Sequence, residues 1–420
     1  MTACKPLSIL IRNLNIHNTI KIDLNFDPFF KNQETISFNL VTKLIISLRP
    51  LFLKANLFGK DVHKSGNPII PEAMGIISGA VFIITMFIFI PIFFYKILLY
   101  ETIFPYAPFI EFLAGLLSIC CMLLLGFADD VLNLKWRYKL ILPTLASLPL
   151  LMVYMININS TLIIIPRPLQ QLFGARIDIG VFYYLYMGML AVFCTNSINI
   201  LSGINGLEVG QSLLIAFSIL IFNIIEFYGS YWKNHLFSIS FIIPYIFTTS
   251  AIFKFNIYPS SIFVGDTFCY YSGMLFAVIA ILGHFSKTVL LFFLPQIFNF
   301  IFSIPQLFHL IPCPRHRMPC FDNEADNLLL SYSEFKKIQL TYIGSIILKI
   351  CHSLGFVEKT EYTKDNEIYI KCSNMTLNIL VLKLLGPMHE KKLLIILMII
   401  QSGCSLMAFI IRYPLAKIFY

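Results

Sequence analysis

Ten times the chain runs for about twenty residues with almost no charge, the length an α-helix needs to cross a bilayer. The runs lie near 36–53, 74–98, 106–127, 139–157, 179–200, 211–227, 235–253, 267–284, 288–310 and 392–411. Lys43 and Arg49 interrupt the first, and GHFSK leaves a very short connector before the ninth. Because lipid leaves no partner for an exposed backbone, these runs predict spanning helices. The fold class that follows is an all-α polytopic membrane protein of about ten transmembrane helices. Composition agrees, since 58% of the 420 residues are hydrophobic and 13% charged, against about 25% charged in a soluble domain. The chain divides into an N-terminal extension (1–35), helices 1–9 (36–310), an insert (311–391), and a last helix with a lumenal tail (392–420). The first 34 residues lack a basic start, an apolar core and a small-residue cleavage site, so no cleaved signal peptide is expected.

With alternating crossings, the loops at 54–73, 128–138, 201–210, 254–266 and 311–391 share one side. They carry Lys54, Lys60, Lys64, Lys135, Arg137, Lys254, Arg315 and Arg317, whereas the opposite connectors hold only Arg167, Arg176, Lys233 and Lys287. The positive-inside rule makes the first side cytosolic. The net charge of +9 is thus spread through connectors and forms no basic stripe, which excludes a nucleic-acid partner. The Asn159-Ser160-Thr161 sequon falls on the lumenal side, whereas Asn374-Met375-Thr376 is cytosolic and should stay bare. The insert contains the alternating run EIYIKCSN, which predicts short strands or a hairpin in a small cytosolic mixed α/β unit. A connector this long is expected to serve as a lid or a substrate-binding element. The ten cysteines form no disulfide framework, and CPRHRMPC has too few ligands for zinc.

Four polar clusters break the apolar pattern. GFADDVLNLKWRYK, residues 126–139, sets Asp129 and Asp130 at the end of the third run. If that helix continues, Asp129, Asn133 and Arg137 share one face. Two carboxylates there suit a divalent cation or a proton, and Lys139 suits a phosphate. The alternative is a charged helix end meeting water beside an interfacial Trp136. In TNSINILSGINGLEVGQS, residues 195–212, Asn196, Asn199 and Asn205 accompany Gly203, Gly206 and Gly210. Amides at membrane depth are costly without partners, and their oxygens suit magnesium. Helix packing through small residues explains the glycines better than the asparagines. PSSIFVGDTFCYY adds a third carboxylate, Asp266, which alternatively caps a helix. CPRHRMP packs Arg315, His316 and Arg317 between prolines. Arginines are suited to bidentate phosphate contacts, although a basic cytosolic loop also satisfies the orientation rule.

All four clusters fall on the predicted cytosolic face. Metal-binding carboxylates and amides beside cationic groups describe a Mg²⁺–diphosphate site for phosphoryl transfer, and the membrane setting implies a lipid substrate. A transporter is the rival from another class. It predicts polar residues near the midplane of several helices, whereas these gather at one surface.

The motifs GFADDVLNLKWRYKLILP, FCTNSINILSGINGLEVGQS, FVGDTFCYYSGM, ILGHFSKT and IPCPRHRMP resemble those of the eukaryotic UDP-N-acetylglucosamine–dolichyl-phosphate N-acetylglucosaminephosphotransferases, the targets of tunicamycin. IPEAMGIISGAVF and LGPMHEKK extend the resemblance from about residue 51 to the end of the chain. The resemblance implies a Mg²⁺-dependent enzyme of the endoplasmic reticulum membrane, commonly a homodimer, with its site facing the cytosol. Its substrates would be UDP-GlcNAc and dolichyl phosphate, and the reaction would start lipid-linked oligosaccharide assembly for N-glycosylation. By the same resemblance, Asn199 and Asp266 are metal ligands, and Asp129, Asp130 and Lys139 are catalytic. Glu72, Asn133, Trp136, Gly203, Asn205, Phe263, Arg315, His316 and Arg317 bind substrate, with Asn205 and Phe263 at the uracil. Bacterial relatives that use polyprenyl phosphate have an Asp in the asparagine-rich motif and a His-rich late loop. This chain has Ser202 and Arg315-His316-Arg317 there, which favours the dolichol enzymes. A related enzyme with another UDP-sugar is the alternative within the superfamily.

Overall fold

The computed structural model describes residues 28–100, 104–135, 137–158, 161–165, 167–364 and 367–419, so Trp136 and the Asn159-Ser160 pair lie outside the described residues. In chain order the helices are α1 (Pro28–Lys54), α2 (Gly75–Tyr100), α3 (Tyr106–Leu132), α4 (Tyr138–Asn157), α5 (Arg167–Phe173), α6 (Val181–Ile200), α7 (Leu207–Glu226), α8 (Trp232–Asn256), α9 (Gly265–Leu282), α10 (Ser286–Phe292), α11 (Leu294–Leu307), α12 (Tyr342–Ser353), α13 (Leu377–Leu385), α14 (Glu390–Ile410) and α15 (Ala416–Phe419). Among the described residues, eight helices are long and apolar enough to cross a membrane, and the bent pair α10–α11 makes a ninth. The apolar helix α2 corresponds to the remaining run. The chain is therefore built as a polytopic membrane protein.

Two of the runs differ from expectation in ways that matter for the site. The ninth is broken, with α10 and α11 meeting at 73°. Pro295, in the first turn of α11, has no N–H to give and its ring excludes the preceding turn's carbonyl. The carbonyl of Phe292, the last residue of α10, accepts from Gln401 Nε2 at 2.9 Å. The third run continues five residues beyond 127 and ends at Leu132, with Asn133 in the left-handed conformation (φ 54°, ψ 61°) as its C-cap. The chain turns there, and Arg137 stands at the start of α4. Asp129, Asn133 and Arg137 therefore do not share a helical face.

Helix α9 is the axis of the bundle. Every residue from Thr267 to Leu282 is buried, as befits a helix that is apolar all round. Helix α3 packs directly on it at Gly126, where a Cβ would lie 2.7 Å from Thr267 Cα. Glycine lets the two backbones touch, and that contact brings the end of α3 against the start of α9.

The small sheets sit outside the helical core. A hairpin of β1 (Phe58–Lys60) and β2 (Ile69–Pro71) follows α1, with Gly59 opposite Ile70. Strands β3 (Leu162–Ile164) and β4 (Arg176–Asp178) pair between α4 and α6. The insert holds a hairpin of β5 (Cys320–Asp322) and β6 (Asn327–Leu329). It also holds a three-stranded antiparallel sheet in which β9 (Glu367–Ser373) lies between β7 (Tyr332–Lys336) and β8 (Lys359–Lys364). The alternating run EIYIKCSN is thus the central strand. Phe335, Leu348, Val357, Ile370 and Cys372 share one apolar cluster with Leu201, Leu207, Phe302 and Leu394, which packs the insert on the end of the bundle. Asn374 of the second sequon is 2% exposed and bonded to Ser331 and Ser333.

Candidate active site

The C-terminal end of α3 and the N-terminal end of α9 meet through Asp130. Its carboxylate accepts the backbone N–H groups of Asp266 (2.7 Å) and Thr267 (3.0 Å) and the Thr267 hydroxyl. It therefore caps α9 from another helix, satisfying donors that a helix start leaves unpaired. Gly265 makes this possible. Its φ is +72°, and a Cβ there would meet Asp130 Oδ2 at 2.3 Å.

Asp129 faces another way. It is 2% exposed and accepts from Leu134 N–H at 3.0 Å and from the Tyr270 hydroxyl at 2.8 Å. Its Oδ2 also lies 2.8 Å from Lys139 Nζ, and that ammonium reaches Asp266 Oδ2 at 2.5 Å. Asn199, on α6, donates its amide to Asp266 Oδ1 at 2.7 Å. Asn196, one turn earlier, holds the Lys139 carbonyl at 3.3 Å. Three carboxylates against one ammonium leave a formal charge of −2 in a half-buried cluster. Glu72 feels that excess, because burial first and the charge of Asp266 second push its carboxyl above the ordinary range.

The loop that carries Arg315, His316 and Arg317 forms a roof held at three points. Arg315 Nη2 donates to Asn133 Oδ1 at 2.5 Å, Met318 lies against Gly203, and the Pro319 carbonyl is 3.2 Å from His63 Nε2. Arg315 and His316 are exposed, whereas Arg317 is half-buried. Its Nη1 is enclosed with no partner among the described residues, and burial depresses its pKa from the usual guanidinium value. An enclosed guanidinium nitrogen without an acceptor is costly, and an anion that reached it would relieve that cost.

Beyond the roof, the 69–75 segment is strapped to the start of α9. Phe263 N–H donates to Pro71 O at 2.8 Å, Met74 N–H to Phe263 O at 3.0 Å, and Gly75 N–H to Val264 O at 3.0 Å. This places Phe263 and Glu72 around Gly59 of β1, whose absent side chain leaves the ring 3.0 Å from where a Cβ would stand. Asn205 closes the far end, bonded to Asp61 and Glu390. The site residues named from sequence are thus gathered at one end of the bundle, apart from the undescribed Trp136.

The structure adds residues that the sequence motifs did not single out. The carbonyls at the end of α6, which no helical N–H reaches, are taken by side-chain amides from elsewhere. Gln211 Nε2 holds Ile198 O (3.2 Å) and Leu201 O (2.7 Å), Asn299 Nδ2 holds Ile200 O (3.2 Å), and Asn378 Nδ2 holds Ser202 O (2.9 Å). Gln296 then joins Gln211 (2.7 Å) to Gln401 (2.8 Å). Gly203 N–H rests on Glu208 Oε1 at 3.3 Å. The nitrogens of these amides are spent on one another and on backbone. A Gln or Asn within an otherwise apolar run was the available signal, but its partners are distant in sequence.

The oxygen donors of Asp266 and Asn199 are the hard ligands that magnesium takes, and the surplus negative charge around them fits a divalent cation. Lys139 and the two arginines supply cations for phosphates beside it. The arrangement is suited to holding a metal-bound diphosphate against a membrane surface.

Comparison with known proteins points the same way. Residues 112–284 match the model for glycosyl transferase family 4, and residues 332–374 match the DPAGT1 insertion domain. The chain is 42% identical over 393 residues to a Saccharomyces cerevisiae UDP-N-acetylglucosamine–dolichyl-phosphate N-acetylglucosaminephosphotransferase, covering 88% of this chain and 87% of that protein. It is 44% identical over 399 residues to the Dictyostelium discoideum protein of the same name, covering 89% and 86%. A Clostridium botulinum phospho-N-acetylmuramoyl-pentapeptide-transferase is 25% identical over 284 residues, covering 63% and 80%.

Proposed function

The chain belongs to glycosyl transferase family 4, among the UDP-N-acetylglucosamine–dolichyl-phosphate N-acetylglucosaminephosphotransferases, and from that premise we propose how its site works. The enzyme transfers N-acetylglucosamine-1-phosphate from UDP-GlcNAc to dolichyl phosphate and releases UMP. A lipid-phosphate oxygen attacks the β-phosphorus while the bond from that phosphorus to the bridging oxygen breaks, leaving UMP with the bridging oxygen. The observation that carries this reading is the gathering of Asp129, Asp130 and Asp266 around the single Lys139 ammonium with Asn199 beside them, a formal charge of −2 at the start of α9. Such a cluster asks for a divalent cation, and its ammonium for a phosphate.

Asn199 and Asp266 are the residues we assign to Mg²⁺, which when bound supplies charge neutralisation on the diphosphate and on departing UMP. Asn199 presents its oxygen to a cation once its amide turns over, an exchange of near-isosteric ends. Lys139, held by Asp129, is placed to receive the lipid phosphate. That phosphate is already ionised near neutral pH, so no strong general base is needed. Asp130 has its oxygens committed to the start of α9 and serves to position Asp266. Arg315 and Arg317 take the phosphates and sugar, with His316 toward the GlcNAc end, and the base lies between Phe263 and Asn205. Glu72, beside Phe263, and Gly203, beneath the roof loop, complete the binding wall.

The same reading puts the site on the cytosolic face of the endoplasmic reticulum membrane, supported by the bases on the connectors of that side. It also makes the enzyme a homodimer, which light scattering of the detergent-solubilised protein would measure. The test of the reaction is purified protein with labelled UDP-GlcNAc, dolichyl phosphate and Mg²⁺. Labelled lipid and UMP in equal amounts are expected, and their absence with every divalent cation tried overturns the reading.

A further inference from the structure

The amide of Asn205 is locked by two carboxylates that no part of the reaction uses. Its Nδ2 lies 3.0 Å from Asp61 Oδ2 and 3.3 Å from Glu390 Oε2, and its backbone N–H donates to Glu390 Oε1 at 2.8 Å. Asp61 and Glu390 are each 3% exposed and Asn205 is 6% exposed. Amide oxygen and nitrogen are alike in shape, but ionised carboxylates only accept hydrogen bonds. The nitrogen must therefore face them. Both of its hydrogens are used, and Oδ1 is left as an acceptor that meets no donor among the described residues.

Asp61, His63 and Glu390 also place their ligand atoms within 4.8 Å of one another, a spacing open to a metal reading. Their oxygens are already engaged, however. Asp61 Oδ2 carries the Lys64 ammonium as well as the Asn205 amide. Glu390 Oε1 carries the Asn205 N–H and lies 3.4 Å from His63 Nδ1. Both carboxylates hold the same residue, one by its side-chain amide and the other by its amide and its backbone N–H, so the cluster acts as a clamp on Asn205. His63 reaches on to the Pro319 carbonyl, which ties the clamp to the roof loop.

We propose that Asp61 and Glu390 are positioning residues for nucleobase selection. By holding the Asn205 nitrogen they present its Oδ1 as the only hydrogen-bonding end of that side chain toward the base. Uracil carries an N–H at ring position 3 and satisfies the acceptor. Cytosine has a lone pair at the same position and leaves two acceptors face to face. The inference rests on the proposed binding of a UDP-sugar, with the base between Phe263 and Asn205. Neither carboxylate touches the base, and their effect passes through Asn205.

The experiment measures UMP and CMP binding to the full-length protein in detergent by calorimetry, which requires no turnover. The unmodified protein is expected to prefer UMP by roughly 100-fold or more, since a site built around one hydrogen bond rejects the mismatched partner. Glu390→Gln and Asp61→Asn free the amide to turn over, and each should narrow that ratio by about tenfold. Each should also raise KM for UDP-GlcNAc more than it lowers kcat. Asn205→Ala should bring the two nucleotides to within about threefold of each other. Equal binding of UMP and CMP by the unmodified protein overturns the proposal. An unchanged ratio in folded Glu390→Gln or in Asn205→Ala does the same, and these two decide the matter if Asp61→Asn fails to fold. Nucleotide selection without any transfer to dolichyl phosphate would instead overturn the reaction and leave this inference standing.

Discussion

Lys139 Nζ lies 2.5 Å from Asp266 Oδ2, joining the first turn of α4 to the first turn of α9. The pair is closed on the other side by Asp129 at 2.8 Å. A single ammonium thus holds together two carboxylates from separate helices, and it stands where an incoming phosphate would find a cation.

Lys139→Gln should therefore lower label transfer to dolichyl phosphate by about 100-fold or more, the scale seen when a preorganised charge partner of phosphoryl transfer is removed. The same change leaves buried Asp129 without its cation. Because Lys139 is about a quarter exposed, the expected loss of folding stability is about 2 kcal/mol, below that of a fully buried pair. A melting curve in detergent measures it, and a variant with unchanged transfer would remove Lys139 from the mechanism.

Asp129 and Asp130 are adjacent in sequence but differ in task, and isosteric substitution separates them. Asp130→Asn keeps an acceptor for one of the Asp266 and Thr267 N–H groups and turns an amide N–H₂ toward the other. It should cost about 1–3 kcal/mol through lost acceptors at the start of α9, with transfer falling because Asp266 shifts. Asp129→Asn keeps an acceptor for Leu134, turns an N–H₂ that the Tyr270 oxygen can accept from, and removes the charge that holds Lys139. Its main effect should fall on kcat, with a smaller change in melting temperature. Reversal of these two patterns would reverse the assignment.

Much of the scaffold was legible because a bilayer demands long apolar helices, and ten runs gave ten helical regions. The gathering of Asp129, Asp266, Asn199 and Arg315 at one end was legible too, through loop parity and the distribution of bases. Local geometry was not. Apolarity ends at residue 127, but helix α3 runs to Leu132 because Asp129 and Asp130 find partners there. The break between α10 and α11 depends on Pro295 together with Gln401, which supplies a donor from over a hundred residues away. The clamp on Asn205 joins Asp61 and Glu390 across 144 and 185 residues. Hydropathy carries no information about such pairings.

The amides around the end of α6 make a further measurable claim. Gln211 serves two carbonyls on the turn that leads from Asn199 to Asn205. Gln211→Leu keeps the volume but removes the donor that both carbonyls share and one of the two acceptors of the Gln296 amide. Inside a membrane bundle such bonds are worth about 0.6–1.7 kcal/mol each, so the expected loss is about 1–3 kcal/mol in an SDS unfolding titration. KM for UDP-GlcNAc should rise as the loop loosens. A variant as stable as the parent would mean that the turn is held by other contacts.

Arg317 sets stability against function. Its Nη1 is enclosed without a partner among the described residues and its pKa is depressed by burial, so the ligand-free fold carries a donor that they do not satisfy. Arg317→Met keeps the length of the side chain and removes that burden. The ligand-free protein should then gain about 1 kcal/mol, the lower end of the penalty for a buried unsatisfied donor. Transfer should fall by about 100-fold, because the guanidinium that receives the diphosphate is gone. The upward shift in melting temperature that UDP-GlcNAc gives the parent should shrink as well, since ligand stabilisation follows affinity. If Arg317→Met destabilises the ligand-free protein and leaves nucleotide binding unchanged, the guanidinium is a structural strut of the roof loop and the anion site lies elsewhere.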